Sequence, residues 1–143
     1  AMGYGIPAAI AASAAAPGRV VIGFAGDGCF LMNGQELATA MRHDLRPVFI
    51  VINNSSYGTI RAHQELSFPG HVFATDLVNP DFAALARAHG LHGERVEVTE
   101  DFAPALERSL AAPSASLIEL VVPIEAISAR ATLKDLRARA AMP

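Results

Sequence analysis

The sequence predicts an α/β fold, a parallel sheet flanked by helices on both faces, and three observations predict it. The runs "RVVIGFAGDG", "RPVFIVINN" and "ASLIELVVP" are almost continuously apolar, as strands covered on both faces are. Segments with helical spacing separate these runs, so helix and strand alternate along the chain. With 143 residues, 52% hydrophobic and 17% charged, the chain suits one domain and carries enough apolar side chains to bury more than one side, which also points to an interface.

Each element has its own signals. Gly3 to Ala16 reads as a helix with Pro7 in its first turn, where the missing N–H is tolerated, and Pro17-Gly18 as its stop. After the first strand, Asn33 is placed to cap a helix with Glu36 three positions on. Leu37, Ala40 and Met41 form its buried stripe, and Arg42 and His43 approach its negative end. "RPVFIVINN" is the second strand, Tyr57 to Glu65 a short helix or helical turn, and "LSFPGHVFATDLVNP" a long surface loop. Asn79 and Pro80 start the next helix, with Phe82, Leu85, Ala86 and His89 at helical spacing and Gly90 as the stop. "LHGERVEVT" is a third strand, Asp101 to Ala112 a helix, "ASLIELVVP" the fourth strand, and Thr132 to Ala140 an amphipathic helix with Leu133 and Leu136 on one side.

Composition excludes several function classes. A net charge of -3 with no Lys/Arg block lacks the electrostatic footprint of a nucleic-acid binder. The lone Cys29 rules out an intrachain disulfide framework and a Cys-rich zinc site, and fits a reducing cytoplasm. The alanine-rich opening has no basic leader, and its weak hydropathy and two prolines argue against a secretory leader and a membrane span. His43, His63, His71, His89 and His92 show no metal-ligand spacing, and neither GxGxxG nor GxxxxGK[ST] occurs, which disfavours a nucleotide-binding enzyme. Glu36 is explained by capping, and His63, Gln64 and Glu65 read as a solvated helix face, with a face toward substrate as the alternative.

The chemistry concentrates at two strand ends, Gly26-Asp27-Gly28 and Asn53-Asn54. Ligands of open parallel sheets bind beyond the carboxyl ends of the strands. Gly26 and Gly28 let backbone amides approach an anion, and a helix start favours negative charge, so a diphosphate is a natural guest. Asp27 would repel a bare diphosphate, so a cation belongs between them. Mg²⁺ suits the position, taking about six oxygens from a carboxylate or two plus phosphate, carbonyl or water. Asn54 offers a neutral oxygen, and a carbonyl such as that of Ser56 a third protein ligand. Taken singly, each motif is also ordinary turn chemistry.

These residues resemble the enzymes dependent on thiamine diphosphate, also called thiamine pyrophosphate, whose motif is GDG followed at a set distance by NN. Asp27 and Asn54 stand 27 positions apart, which fits. "MGYGIPAAIAA", "FAGDGCFLMNGQELATA" and "NNSSYGTIRAHQE" look most like the carboxy-terminal cofactor domain of acetolactate synthase-like large subunits, with benzoylformate decarboxylase and other 2-oxo acid decarboxylases as relations. The resemblance implies that Asp27, the Asn54 side chain and the Ser56 carbonyl ligate Mg²⁺. It implies that amides of Gly28 and Cys29, with the Tyr57, Gly58 and Thr59 turn, hold the diphosphate beside Gly26, and that Met2 wedges between the cofactor rings. Relatives carry a small residue at Cys29, whose other reading is a buried filler.

The same resemblance implies that residues 1–143 are a thiamine diphosphate and Mg²⁺ domain truncated at its amino end, the other domains lying outside the chain. The activating glutamate belongs to a pyrimidine-binding domain of the same or a neighbouring subunit. No catalytic side chain is therefore assigned here, a homo-oligomer such as a dimer is expected, and the chain alone is expected to be inactive. The implied reaction is carboligation after decarboxylation of pyruvate or a similar 2-oxo acid. A decarboxylase domain and a non-catalytic interaction domain retaining the fold are the alternatives.

Overall fold

The computed structural model describes residues 1–128 and 130–140. Strands β1 (Ile22–Gly26), β2 (Val48–Asn53), β3 (His92–Val96) and β4 (Ser116–Val121) form one sheet in the order β1-β2-β4-β3. Every pairing is parallel, with Gly26 opposite Ile52 and Asn53 opposite Val121, so all carboxyl ends lie along one edge. Seven α-helices accompany them among the described residues: α1 (Gly5–Ala15), α2 (Asp27–Asn33), α3 (Leu37–Arg42), α4 (Gly58–Ser67), α5 (Phe82–Ala88), α6 (Phe102–Ala111) and α7 (Leu133–Ala140).

The period of two along each strand sorts side chains between two cores. On one face Ala25, Phe49, Val51 and Leu117 meet Ile6, Ala9 and Ile10 of α1, Phe30 of α2, Leu37 and Ala40 of α3, and Phe82 and Ala86 of α5. Phe30 and Phe82 pack edge to face with centroids 5.1 Å apart, which joins α2 to α5. On the other face Val48, Ile50, Val96 and Ile118 pack against Ala105 of α6, with Phe102 and Leu106 at the margin. The predicted α/β architecture is thus the observed one.

Three local expectations change. The first strand was expected to be buried on both faces, yet Ile22 is 40% and Phe24 63% exposed. β1 is an edge strand, and the side chains that cover this face come from α6, over β2, β3 and β4. The helix expected to be capped by Asn33 begins only at Leu37, as α3, and the additional helix α2 starts at Asp27, straight from the strand, with extended Gly26 as its N-cap. Asn33 instead donates from Nδ2 to the Gly3 carbonyl at 2.7 Å, and the chain tightens through a 3₁₀ turn, Gly34–Glu36, into α3. Glu36 accepts from the Thr39 hydroxyl at 2.6 Å. Likewise α5 is capped by Asp81, whose side chain accepts from the Ala84 amide at 2.7 Å, not by Asn79.

Glu65 departs furthest from the solvated face assigned to it, being 1% exposed. Its Oε1 accepts from Arg61 Nε at 2.9 Å and Arg137 Nη2 at 2.6 Å, and its Oε2 from Arg137 Nε at 2.7 Å and the Gly70 amide at 2.8 Å. One carboxylate so ties α4, the following loop and α7, and the paired guanidinium of Arg137 holds it far below the usual carboxylate range. Gln64 pairs through its amide with the Phe73 backbone, and His63 is exposed. No helix among the described residues is long and apolar enough to cross a membrane.

Because the folded state depresses the Glu65 pKa below its ordinary 4.5, the stability it contributes is complete above that pH and is lost as pH falls through and below it. Glu65→Gln is expected to cost about 2 kcal/mol at neutral pH, less than a fully enclosed pair because Arg137 reaches solvent. Denaturant unfolding from pH 7 to pH 3 should show the wild-type advantage shrinking with acidity.

Candidate functional site

Asp27 is the first residue of α2 and only 2% exposed. Its Oδ1 accepts from the Gly28 amide and its Oδ2 from Asn79 Nδ2, both at 2.8 Å. No Lys, Arg or His nitrogen among the described residues lies within 4.0 Å of the carboxylate. An enclosed charge left without a counterion is strongly unfavourable, so the position calls for a cation from outside the chain.

At the neighbouring tip of β2 the two amides build successive turns. Asn53 Oδ1 accepts from the Ser55 amide and Asn54 Oδ1 from the Ser56 amide, each at 3.1 Å, while Ser55 takes a left-handed φ of 54°. The loop after α4 fastens this turn from outside. The Thr75 carbonyl accepts from Ser56 Oγ and from the Tyr57 amide, both at 2.9 Å, and the Leu77 amide donates to the Ser55 carbonyl at 2.8 Å. An unusual backbone conformation is thereby held by two segments of chain rather than by one.

All ten residues expected at the site line one cavity of about 560 Å³: Met2, Gly26, Asp27, Gly28, Cys29, Asn54, Ser56, Tyr57, Gly58 and Thr59, with Ile52, Ile60 and Ile127 among its apolar walls. Met2 is 44% exposed there and is no core residue. Cys29 is half-buried against the larger core. The donors for an anion are narrower than the sequence suggested. The Gly28 amide is taken by Asp27, the Tyr57 amide by Thr75, and the Gly58 amide by the Ser56 carbonyl at 2.8 Å. Cys29 and Thr59, in the first turns of α2 and α4, occupy positions whose amides have no partner within a helix.

Two glycines behave differently. A Cβ on Gly28 would stand 2.5 Å from Tyr57 Cε1, so this chain's own packing requires glycine there. A Cβ on Gly26 would meet nothing within 4 Å, so packing within the chain gives no reason for it. The open side of Gly26 is a cradle that a guest can fill.

Two functional candidates escaped the sequence reading. Asn79 donates from Nδ2 to Asp27 Oδ2 and also to Asn53 Oδ1, at 2.8 Å each. Glu119, on β4 and fully buried, accepts from Asn53 Nδ2 at 2.7 Å, from the Phe82 and Ala83 amides at 3.1 and 3.4 Å, and from Arg95 Nη1 at 3.3 Å. A lone charge inside "SLIELVV" was the available signal for Glu119. "VNPDF" gave none for Asn79 beyond helix initiation.

A carboxylate, a side-chain amide and backbone carbonyls form a hard-oxygen donor set of the kind that suits Mg²⁺ or Ca²⁺. No trio of His, Cys, Asp or Glu able to hold a metal occurs among the described residues. Two buried polar atoms around this turn, Thr75 Oγ1 and Asn79 Oδ1, have no partner among the described residues. The residues therefore fit a hydrated divalent cation accompanying an anionic ligand.

Residues 1–120 match the family model for the thiamine pyrophosphate enzyme C-terminal TPP binding domain. The chain is 39% identical over 121 residues to the mitochondrial acetolactate synthase of Schizosaccharomyces pombe, covering 85% of this chain and 18% of that protein. It is 39% identical over 110 residues to the acetolactate synthase isozyme 2 large subunit of Escherichia coli, covering 76% and 20%. The thiamine diphosphate-dependent 4-hydroxybenzoylformate decarboxylase of Rhodococcus jostii superposes with a TM-score of 0.79 at 35% identity, over 85% of this chain and 23% of that one. The chain thus spans about a fifth of the length of these relatives.

The glycines give a paired test. Gly28→Ala should lose about 1–3 kcal/mol through the forced shift of Tyr57. Gly26→Ala, with an ordinary φ of -71°, should stay within about 0.5 kcal/mol of wild type in urea unfolding.

Proposed function

The chain belongs to the thiamine pyrophosphate enzymes, matching their C-terminal TPP-binding domain, and on that premise we propose that it holds thiamine diphosphate through Mg²⁺ for acetolactate synthase-like chemistry on 2-oxo acids. The observation that carries the reading is the buried Asp27 carboxylate, without a basic partner among the described residues, on the same cavity as Asn54 and Ser56. Asp27, Asn54 Oδ1 and the Ser56 carbonyl would hold the metal. The amides of Cys29 and Thr59 and the open face of Gly26 would receive the diphosphate, and Met2 and Ile127 would contact the apolar part of the cofactor. When bound, thiamine diphosphate supplies the nucleophilic carbon and the electron sink for 2-oxo acid chemistry.

This chain's own residues bind and orient. Asp27 brings the negative charge that fixes the cation, Asn54 adds an oxygen without a second charge, and the strapped turn keeps both at neighbouring strand tips. No acid or base is assigned here. The reading takes the activating glutamate from a pyrimidine-binding domain of the same or a neighbouring subunit, within a homo-oligomer. The single thiol supports a reducing compartment such as the cytoplasm. The decarboxylase reading is favoured by one observation, the superposition on a 4-hydroxybenzoylformate decarboxylase at 35% identity.

Titration calorimetry of the chain with thiamine diphosphate tests the proposal. Binding is expected in Mg²⁺ and not in EDTA, and Asp27→Asn should weaken it at least about 100-fold, in line with losing a charged metal ligand. Gly26→Ala should weaken it while leaving the fold intact. Pyruvate should not be turned over by this chain alone. Equal binding in EDTA, or an unaffected Asp27→Asn variant, would overturn the assignment.

A further inference from the structure

We propose that Asn79 is a positioning residue that sets how far apart, and in what orientation, Asp27 and the Asn53-Asn54 turn present their oxygens to a divalent cation. The inference rests on the Mg²⁺ and thiamine diphosphate reading above and adds to it a residue that touches neither group.

The geometry is a bridge. One NH₂ group donates both hydrogens, to Asp27 Oδ2 at the tip of β1 and to Asn53 Oδ1 at the tip of β2, with both bonds at 2.8 Å. Two acceptors on one side fix which end of the amide is nitrogen, because the flipped amide would face oxygen with oxygen. Asn53 is held in turn at 2.7 Å by fully buried Glu119 within β4, so side-chain bonds run from the tips of β1 and β2 to the interior of the next strand. Glu119 also accepts from the Phe82 and Ala83 amides, which ties the segment carrying Asn79 to the same anchor.

Among the described residues no other side-chain hydrogen bond crosses from Asp27 to β2. The other bond that Asp27 accepts comes from its own neighbour Gly28 and fixes only the local turn. The Oδ1 of Asn79 is buried and has no donor among the described residues, as expected of an amide whose remaining partner is a water. A second layer of this kind orients metal ligands, and its loss typically weakens metal affinity about 10- to 100-fold.

The test separates metal affinity from cofactor affinity. Thiamine diphosphate binding to the wild-type chain is followed by calorimetry at increasing Mg²⁺, then at saturating Mg²⁺, for wild type, Asn79→Ala and Asn79→Thr, with thermal unfolding in EDTA as the fold control. Asn79→Ala is expected to raise the half-saturating Mg²⁺ concentration about 10- to 100-fold while changing cofactor affinity at saturating Mg²⁺ less than about threefold. Asn79→Thr, with one donor in place of two, should fall between; it decides the matter if the alanine variant fails to fold. A folded variant with unchanged Mg²⁺ dependence overturns the positioning role and leaves the cofactor reading standing. An equal loss at limiting and saturating Mg²⁺ overturns it too, as the mark of general damage. A wild-type chain that binds no thiamine diphosphate at any Mg²⁺ concentration overturns both.

Discussion

A buried carboxylate with no positive partner is the constraint around which this domain is arranged. Asp27 sits at the junction of β1 and α2, 2% exposed, and the described residues offer it two hydrogen bonds from neutral donors and no cation. In a low-dielectric interior that arrangement is strongly unfavourable unless a counter-charge is supplied. The surroundings then follow a common logic: oxygens from the adjacent strand tip, glycine where a side chain would fill the approach, and neutral amides rather than lysine or arginine beside the charge.

Keeping those oxygens in place is a mechanical task shared by distant segments. β1 and β2 are hydrogen-bonded neighbours, which brings their tips together but does not fix the side chains beyond them. The turn after β2, with Ser55 left-handed, is strapped by Thr75 and Leu77 of the following loop. Asn79 continues the same loop into a bridge between Asp27 and Asn53, and Glu119 anchors that bridge in the middle of the sheet. Behind them, Glu65 binds α4 to α7 through Arg137, which steadies the helix that carries Thr59. Most of these contacts join residues far apart in sequence, and several are made by polar groups that burial has made obligatory.

The exposed part of the sheet has a different character. Ile22 and Phe24 lie bare on the outer face of β1, whereas the equivalent faces of the other strands lie under α6. An edge strand of a parallel sheet is rarely left uncovered on an apolar face. The high hydrophobic content thus divides between two cores and a surface suited to a contact, in keeping with relatives about four to five times as long as this chain.

Local patterning was sufficient for much of this. Continuous apolar runs marked the strands, helical spacing marked α1, α5, α6 and α7, and Gly-Asp-Gly with Asn-Asn marked the two tips, because each depends on neighbours within a few residues. Helix starts were misplaced at Asn33 and Asn79 because asparagine is a good cap in isolation, while in the fold both side chains found stronger uses across the chain. Glu65 looked solvated for the same reason: its partner Arg137 lies 72 positions away. The sequence by itself determined the architecture and the residue types that stand at the tips of β1 and β2, since periodicity and residue chemistry are local properties. Only the tertiary structure decided which amides are spent, which strand face stays bare, and that Asn79 links two strand tips while Glu119 anchors one of them, since hydrogen bonds between remote buried groups exist only once the strands have been brought side by side.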